Sequence, residues 1–232
     1  MYNPKDNYNN PQSVLVYTGK KWLTKSEESI FSLFSFKKEV KILDLWCGWW
    51  RTTAALYNKW FHNIVWVDFA ENLIEWAKKE YPELADKFFV WDATKLSDFQ
   101  DDEFDIVFFS FNGIDYIPDA ESRIQAYREI YRVLKEEWMY IFSSHNKYCF
   151  PINRLLLKIQ LQNIHRWWSD YWWAPQTFGK MLTYFSTERK LENELHEIGF
   201  NKICVIPNTT LLYPFLDAFP YYIYQKPTLT WR

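Results

Sequence analysis

Five segments of the chain end in residues that can hold charge or move a proton. The first closes on Asp44-Leu45-Trp46-Cys47-Gly48-Trp49-Trp50-Arg51, the second on Asp68-Phe69 and the third on Asp92-Ala93. The fourth closes on Ser110-Phe111-Asn112-Gly113 and the fifth on Ser143-Ser144-His145-Asn146. Carboxylates accept hydrogen bonds from a diol, and three of them in one mouth suit a cationic ligand. Asp68 stands 20 residues after Gly48, the separation at which an acidic residue on a second strand reaches a ribose bound over the first turn. Asp92 is then placed to meet an adenine edge or its flanking waters. Singly, each aspartate reads as a helix cap or turn residue; the joint placement weakens that reading for Asp68. Of the proton acceptors at the mouth (His145, Asn112, Tyr116), His145 is the best by chemistry, although alone it reads as a turn residue. Cys47 reads as packing beside a ligand. His62, His165 and His196 are scattered and give no metal-binding spacing.

These residues need strands to hold them. Val40–Leu45, Asn63–Asp68, Phe88–Val90, Phe104–Phe109 and Met139–Phe142 are short apolar runs of strand type. Helical patterns lie between them, at about 51–59, at about 70–80 before Pro82, and after Asp119, where Ile124, Tyr127, Tyr131 and Leu134 share a helical face. Such alternation reads as repeated βαβ units in a mainly parallel sheet. In sheets of this kind ligands bind beyond the carboxyl ends of the strands. Thr24 with Glu27 predicts a capping box opening an earlier helix, with Ile30, Phe31, Leu33 and Phe34 as its apolar face. A helix over about 187–198 stops at Gly199, and Ile203–Pro207 and Phe219–Gln225 are the closing strand-like runs. The organisation expected is an N-terminal arm and helix (1–38), a core (39–145), an insertion (146–180) and a C-terminal helix with two strands of the same domain (181–232).

Composition bounds the classes. The 232 residues, 48% hydrophobic and of net charge −2, suit a single α/β domain. No apolar run reaches the ~18 residues of a membrane span. The opening MYNPKDNYNNPQ has no apolar core of a secretory leader. Cys47, Cys149 and Cys204 form neither a disulfide framework nor a metal pair, so a reducing cytoplasm is the expectation. The near-neutral balance disfavours nucleic acid.

The run Ile42-Leu43-Asp44-Leu45-x-Cys47-Gly48-x-x-Arg51 resembles the first motif of class I S-adenosylmethionine-dependent methyltransferases. Val67-Asp68, Asp92-Ala93, Phe104-Asp105-Ile106-Val107 and Val133-Leu134-Lys135 follow that family's later motifs in order, closely over about 39–145 and loosely over 181–227. The resemblance implies a Rossmann-like, doubly wound, mainly parallel seven-stranded sheet with helices on both faces and a terminal antiparallel strand. It implies S-adenosylmethionine as cofactor and methyl transfer to a small-molecule acceptor. It also implies roles: Asp44, Trp46, Cys47 and Gly48 at the methionine end, Asp68 on the ribose hydroxyls with Phe69 against the adenine, Asp92 and Ala93 at the adenine amine, and Phe111 closing the far side. An NAD-dependent enzyme on the same layout fits the Cys47-Gly48 segment less well.

The chain departs from that family at its glycines. Trp46, Trp49 and Trp50 occupy positions where the family has small residues, chiefly glycine, used for close approach to the ligand. Read literally, these indoles block the pocket and leave a non-catalytic binding domain. Trp60, Trp66 and Trp91 likewise stand where glycine is usual, Trp138 falls in the turn before the fifth strand, and Trp22 and the doublets at 167–168 and 172–173 lie in turn-like contexts. The chain has 14 Trp and 5 Gly, whereas average usage near 7% predicts about 16 glycines in this length. Hypothesis: most of these tryptophans are UGA codons that the source reads as glycine. The doublets then become a flexible glycine lid over the acceptor rather than an exposed aromatic patch. Sequencing the gene tests this. UGA at most of the 14 positions is expected, and UGG throughout rejects it.

Overall fold

The structure, a computed structural model, describes residues 22–45, 51–59, 61–149, 169–176, 179–208 and 217–228. The expected arm, Trp46, Cys47, Gly48, Trp49, Trp50, Trp60 and the doublet at 167–168 lie outside the described residues.

Thr24 caps α1 (Lys25–Leu33) with the reciprocal bonds of a capping box. Glu27 is fully buried. Its carboxylate accepts from the Thr24 amide at 2.6 Å and from the Tyr221 hydroxyl at 2.7 Å, tying the helix start to the last strand. Ile30 and Phe31 are buried as expected, but Leu33 is 66% exposed. The buried stripe includes Ser26 and Glu27, which turns it away from Leu33.

The elements that follow are β1 (Ile42–Leu45), α2 (Arg51–Asn58), β2 (Ile64–Asp68), α3 (Glu71–Glu80), a 3-10 helix at Pro82–Lys87, β3 (Phe88–Val90), β4 (Phe104–Phe109) and a 3-10 turn at Gly113–Tyr116. Then come α4 (Ala120–Val133), β5 (Leu134–Ser143), β6 (Tyr171–Gln176), β7 (Gly179–Tyr184), α5 (Glu188–Ile198), β8 (Asn201–Ile206) and β9 (Tyr221–Gln225). Seven strands form one sheet in the order β3-β2-β1-β4-β5-β9-β8. The first five are parallel, and β9 runs antiparallel between β5 and β8. The doubly wound, Rossmann-like fold is therefore present, with its antiparallel strand last in sequence and second from the edge in space.

The two-residue period of the strands divides the core. Leu43, Val67, Val107, Phe109, Tyr140 and Phe142 face α4 and α5 with Tyr127, Ile130, Leu191 and Leu195. Ile42, Trp66, Ile106, Phe108, Ile141 and Ile223 face α1, α2 and α3 with Phe31, Leu56, Ile74 and Ala77. Strands covered on both sides are buried along both faces, so β1 and β4 are apolar except for the buried Asp44 and Asp105.

Two boundaries differ from expectation. Leu134 starts β5 and does not extend α4, and Trp138 lies within that strand, not in a turn before it. The strand begins early because Leu134 pairs with Phe104. The Lys226 ammonium also takes up the Tyr131 and Leu134 carbonyls at the helix end. The irregularity falls on Glu137, whose φ is 66°. Trp172 and Trp173 lie in β6, which pairs antiparallel with β7 in a separate two-stranded sheet. There the doublet is strand, and Trp172 is only 2% exposed.

Gly199 ends α5 at φ +119°, and an added Cβ would meet the Tyr131 hydroxyl at 3.0 Å. Gly199→Ala is expected to cost roughly 1–2 kcal/mol of stability, read as a lower urea midpoint with an unchanged denaturant slope.

Candidate functional site

β1 leads into α2, and its carboxylate points back at that helix. Asp44 is fully buried, and its Oδ2 accepts from the Thr53 hydroxyl at 2.7 Å. The neighbouring Thr52 hydroxyl is 3.1 Å from the Ser110 hydroxyl at the end of β4. Three elements thus bring one carboxylate and three hydroxyls to the point where the strand order reverses between β1 and β4. Chains leaving on opposite faces open a crevice there.

Asp68 ends β2 and is 2% exposed. Its Oδ1 accepts from the Ala70 amide at 2.8 Å, which fixes the carboxylate at the entry to α3. Its carbonyl accepts from the Trp91 amide at 3.1 Å and so holds the exit of β3 beside it. Phe69 follows directly and is half-buried. Asp92 is exposed, and its Oδ1 closes a local turn by accepting from the Thr94 amide and hydroxyl. Ala93 packs against the core at the same exit.

Past β4 the backbone takes two consecutive left-handed residues, Phe111 at φ 55° and Asn112 at φ 57°. Each costs roughly 1–2 kcal/mol outside glycine. The Asn112 amide donates to the Ser143 hydroxyl at 2.9 Å, which anchors this bend to the end of β5. Phe111 is left 53% exposed.

The turn that follows supplies Asp115, fully buried and missed by sequence reasoning. Its Oδ1 accepts from the Ser144 hydroxyl at 2.8 Å. Its Oδ2 lies 2.7 Å from His145 Nδ1 and accepts from the His145 amide at 2.6 Å. Burial pushes its carboxyl up, against the opposing pull of the His145 and Ser144 bonds. No spacing motif links residues 115 and 145; only the adjacency of β4 and β5 brings them together.

The β6–β7 hairpin is anchored beside this end of the sheet. Arg123 of α4 is fully buried. Its guanidinium lies 3.5 Å from the centre of the Tyr184 ring, bonds the Tyr171 hydroxyl and pairs with Glu194 at 3.1 Å. Asp170 accepts from Lys147 at 2.9 Å and from Lys190. Burial raises the Asp170 carboxyl, but those two ammonium groups outweigh it and hold it below its ordinary value. The Ser186 amide donates to the His145 carbonyl at 3.0 Å, stitching the hairpin's exit to the exit of β5.

Asp44, Asp68, Phe69, Asp92, Ala93, Phe111 and His145 therefore all lie where the strands β1 to β5 end. The described tryptophans have ordinary backbone angles, since none is among the residues of positive φ. Their contrast with glycine is one of volume. Trp66 fills the core against Phe88 at 4.4 Å, and its buried indole N–H has no acceptor among the described residues. Such a group costs about 1–3 kcal/mol. Among the described residues no cluster of His, Cys, Asp and Glu could hold a metal ion. None of the helices there is long and apolar enough to cross a membrane.

Residues 42–137 match a family model described as a methyltransferase domain. The chain is 35% identical over 112 residues to a demethylmenaquinone methyltransferase from Leptospira interrogans, spanning 46% of this chain and 43% of that protein. It thus spans under half the length of the first curated relatives it matches. Among solved structures, an S-adenosylmethionine-dependent methyltransferase from Clostridium acetobutylicum superposes with a TM-score of 0.67 at 16% identity, covering 90% of this chain and 92% of the other. The CcbJ methyltransferase from Streptomyces caelestis superposes with a TM-score of 0.71 at 11% identity, covering 98% and 100%. At these identities the likeness is one of fold.

Proposed function

We propose that this chain, with glycine read at 46, 49 and 50, transfers the methyl group of S-adenosylmethionine to a small-molecule acceptor. The observation that carries the reading is the pair of buried carboxylates, Asp44 and Asp68, at the ends of the adjoining strands β1 and β2. Hydroxyls of Thr52, Thr53 and Ser110 stand beside the first. Two anionic groups and neighbouring hydroxyls fit a ligand that carries an ammonium, a sulfonium and a ribose diol. The methyltransferase-domain match over residues 42–137 supports the same reading.

In this reading Asp44, with Trp46, Cys47 and Gly48 that follow it in the sequence, lines the methionine end. Asp68 accepts from the ribose hydroxyls and Phe69 packs on the adenine. Asp92 and Ala93 meet the adenine amine, and Phe111 closes the far side. The cofactor, when bound, supplies a methyl group on an already activated leaving group. What the protein adds is alignment of the acceptor in line with that group at near-contact distance.

A second reading, a non-catalytic binding domain, takes Trp46, Trp49 and Trp50 as real obstacles. Isothermal titration with S-adenosylmethionine tests the pocket, and the codons at 46, 49 and 50 then separate the two. Micromolar binding is expected for the chain carrying W46G, W49G and W50G, and none for the chain as written. Absence of binding by both rejects the enzyme. On the glycine-bearing chain, Asp68→Asn, which keeps an acceptor for the Ala70 amide, is expected to raise Kd roughly 10-fold through loss of charge-assisted hydrogen bonds, with a smaller change in melting temperature than Asp68→Ala.

A further inference from the structure

We infer that Asp115 and His145 form a proton-accepting pair for a neutral aromatic hydroxyl acceptor, His145 Nε2 taking the proton and Asp115 positioning the ring. The inference rests on the methyl-transfer reading and names the acceptor class for it.

The hydrogen bonds fix the imidazole. The Ser144 hydroxyl and the His145 amide both donate to the Asp115 carboxylate, at 2.8 and 2.6 Å. Nδ1 lies 2.7 Å from the same carboxylate, so it is the ring nitrogen that carries a proton in the neutral imidazole. The lone pair is left on Nε2, which bonds no described residue. His145 is 8% exposed, so the pair is desolvated yet reachable from the mouth.

The surroundings select the acceptor. Phe185 lies 4.9 Å from the imidazole centre, Phe219 5.2 Å and Tyr116 6.0 Å. Phe185 is itself stacked on Trp172 at 4.6 Å. The polar neighbours are already engaged. Ser144 bonds Asp115, Asn146 bonds the Asp217 carbonyl and the Tyr148 amide, and Lys147 pairs with Asp170. An uncharged planar molecule with one polar edge toward His145 fits such walls.

The chemistry agrees with that edge being a hydroxyl. A neutral amine can attack a methyl sulfonium with its own lone pair. A phenolic oxygen, with a pKa near ~10, attacks poorly until its proton leaves. In the step, the O–H proton passes to His145 Nε2 as the O–CH3 bond forms. The S–CH3 bond breaks, and its electron pair stays on sulfur as a neutral thioether. The positive charge moves from sulfonium to imidazolium, where the Asp115 carboxylate stabilises it, and water later removes the proton.

Other ionisable groups face the pair from the elements packed around it. Tyr140 on β5, Tyr171 and Tyr184 on the hairpin and Tyr222 on β9 all feel the Asp115 charge, and burial raises each of them. Tyr116 on the same turn, Asp217 and the Lys147–Asp170 pair complete the neighbouring ionisable groups.

The test uses the full chain carrying W46G, W49G and W50G as parent, with 2-naphthol and 2-naphthylamine as probes and tritiated methyl transfer as readout. The unmodified pair is expected to methylate 2-naphthol in preference to the amine, with kcat/KM falling as pH is lowered. His145→Gln is expected to lower kcat by ~100-fold or more. Asp115→Asn is expected to lower kcat and to move the acid limb to lower pH, because the imidazolium loses its counter-charge. Titration with S-adenosylmethionine is expected to give the parent Kd for both variants. Nitrogen-15 NMR of the parent is expected to place the His145 proton on Nδ1, and Asp115→Asn to relax that preference. The inference is overturned by parental kcat in H145Q, by an unmoved acid limb in D115N, by an Nε2-protonated ring in the parent, or by preference for the amine. Failure of the parent chain to bind S-adenosylmethionine removes the methyl-transfer reading instead, and the NMR result still decides whether the pair is built as described.

Discussion

The constraint on which the rest depends is the placement of β1 between β2 and β4, all three parallel. A strand buried on both faces and flanked on both edges has no freedom of register, since a one-residue slip would turn every side chain to the wrong layer. The carboxyl ends of β1, β2 and β4 are therefore fixed relative to one another. Because α2 and α3 cover one face and α4 and α5 the other, the chain leaves neighbouring strands in opposite directions at β1 and β4. The crevice follows from that geometry, and polar groups can occupy it without disturbing the core.

Buried carboxylates at such a mouth persist only where something satisfies them. Asp44 has Thr53, Asp68 has the first amide of the next helix, and Asp115 has three donors. Each is held differently. Asp44 and Asp68 take local partners within nine residues, so their orientation is set by the strand–helix turn. Asp115 takes partners 29 and 30 residues away, so its position exists only once β4 and β5 have paired. The β6–β7 hairpin is tied to the same place by Arg123, Asp170 and the Ser186 amide. Its aromatic residues therefore reach His145 as a fixed wall.

The strands and helices legible in the sequence were those with strong local signals. Thr24 and Glu27 announced a capping box, Asp119 a cap and Gly199 a left-handed stop, and all three are present. Errors arose where tertiary contacts overrode the local pattern. Leu33 fits the apolar stripe of a nine-residue helix, but buried Glu27 sets which way the helix faces. Leu134 fits a helical spacing, but pairing with Phe104 takes it into the sheet.

The sequence by itself determined the parallel α/β core and the row of strand-end residues from Asp44 to His145, because alternating apolar runs and turn chemistry act within a few residues. Only the tertiary structure decided that Asp115 would meet His145, that Phe185 and Phe219 would wall the imidazole, and that Trp66 would be buried with no acceptor for its N–H among the described residues. Those contacts join segments far apart in the chain, and no local propensity encodes a distance that arises only when the sheet closes.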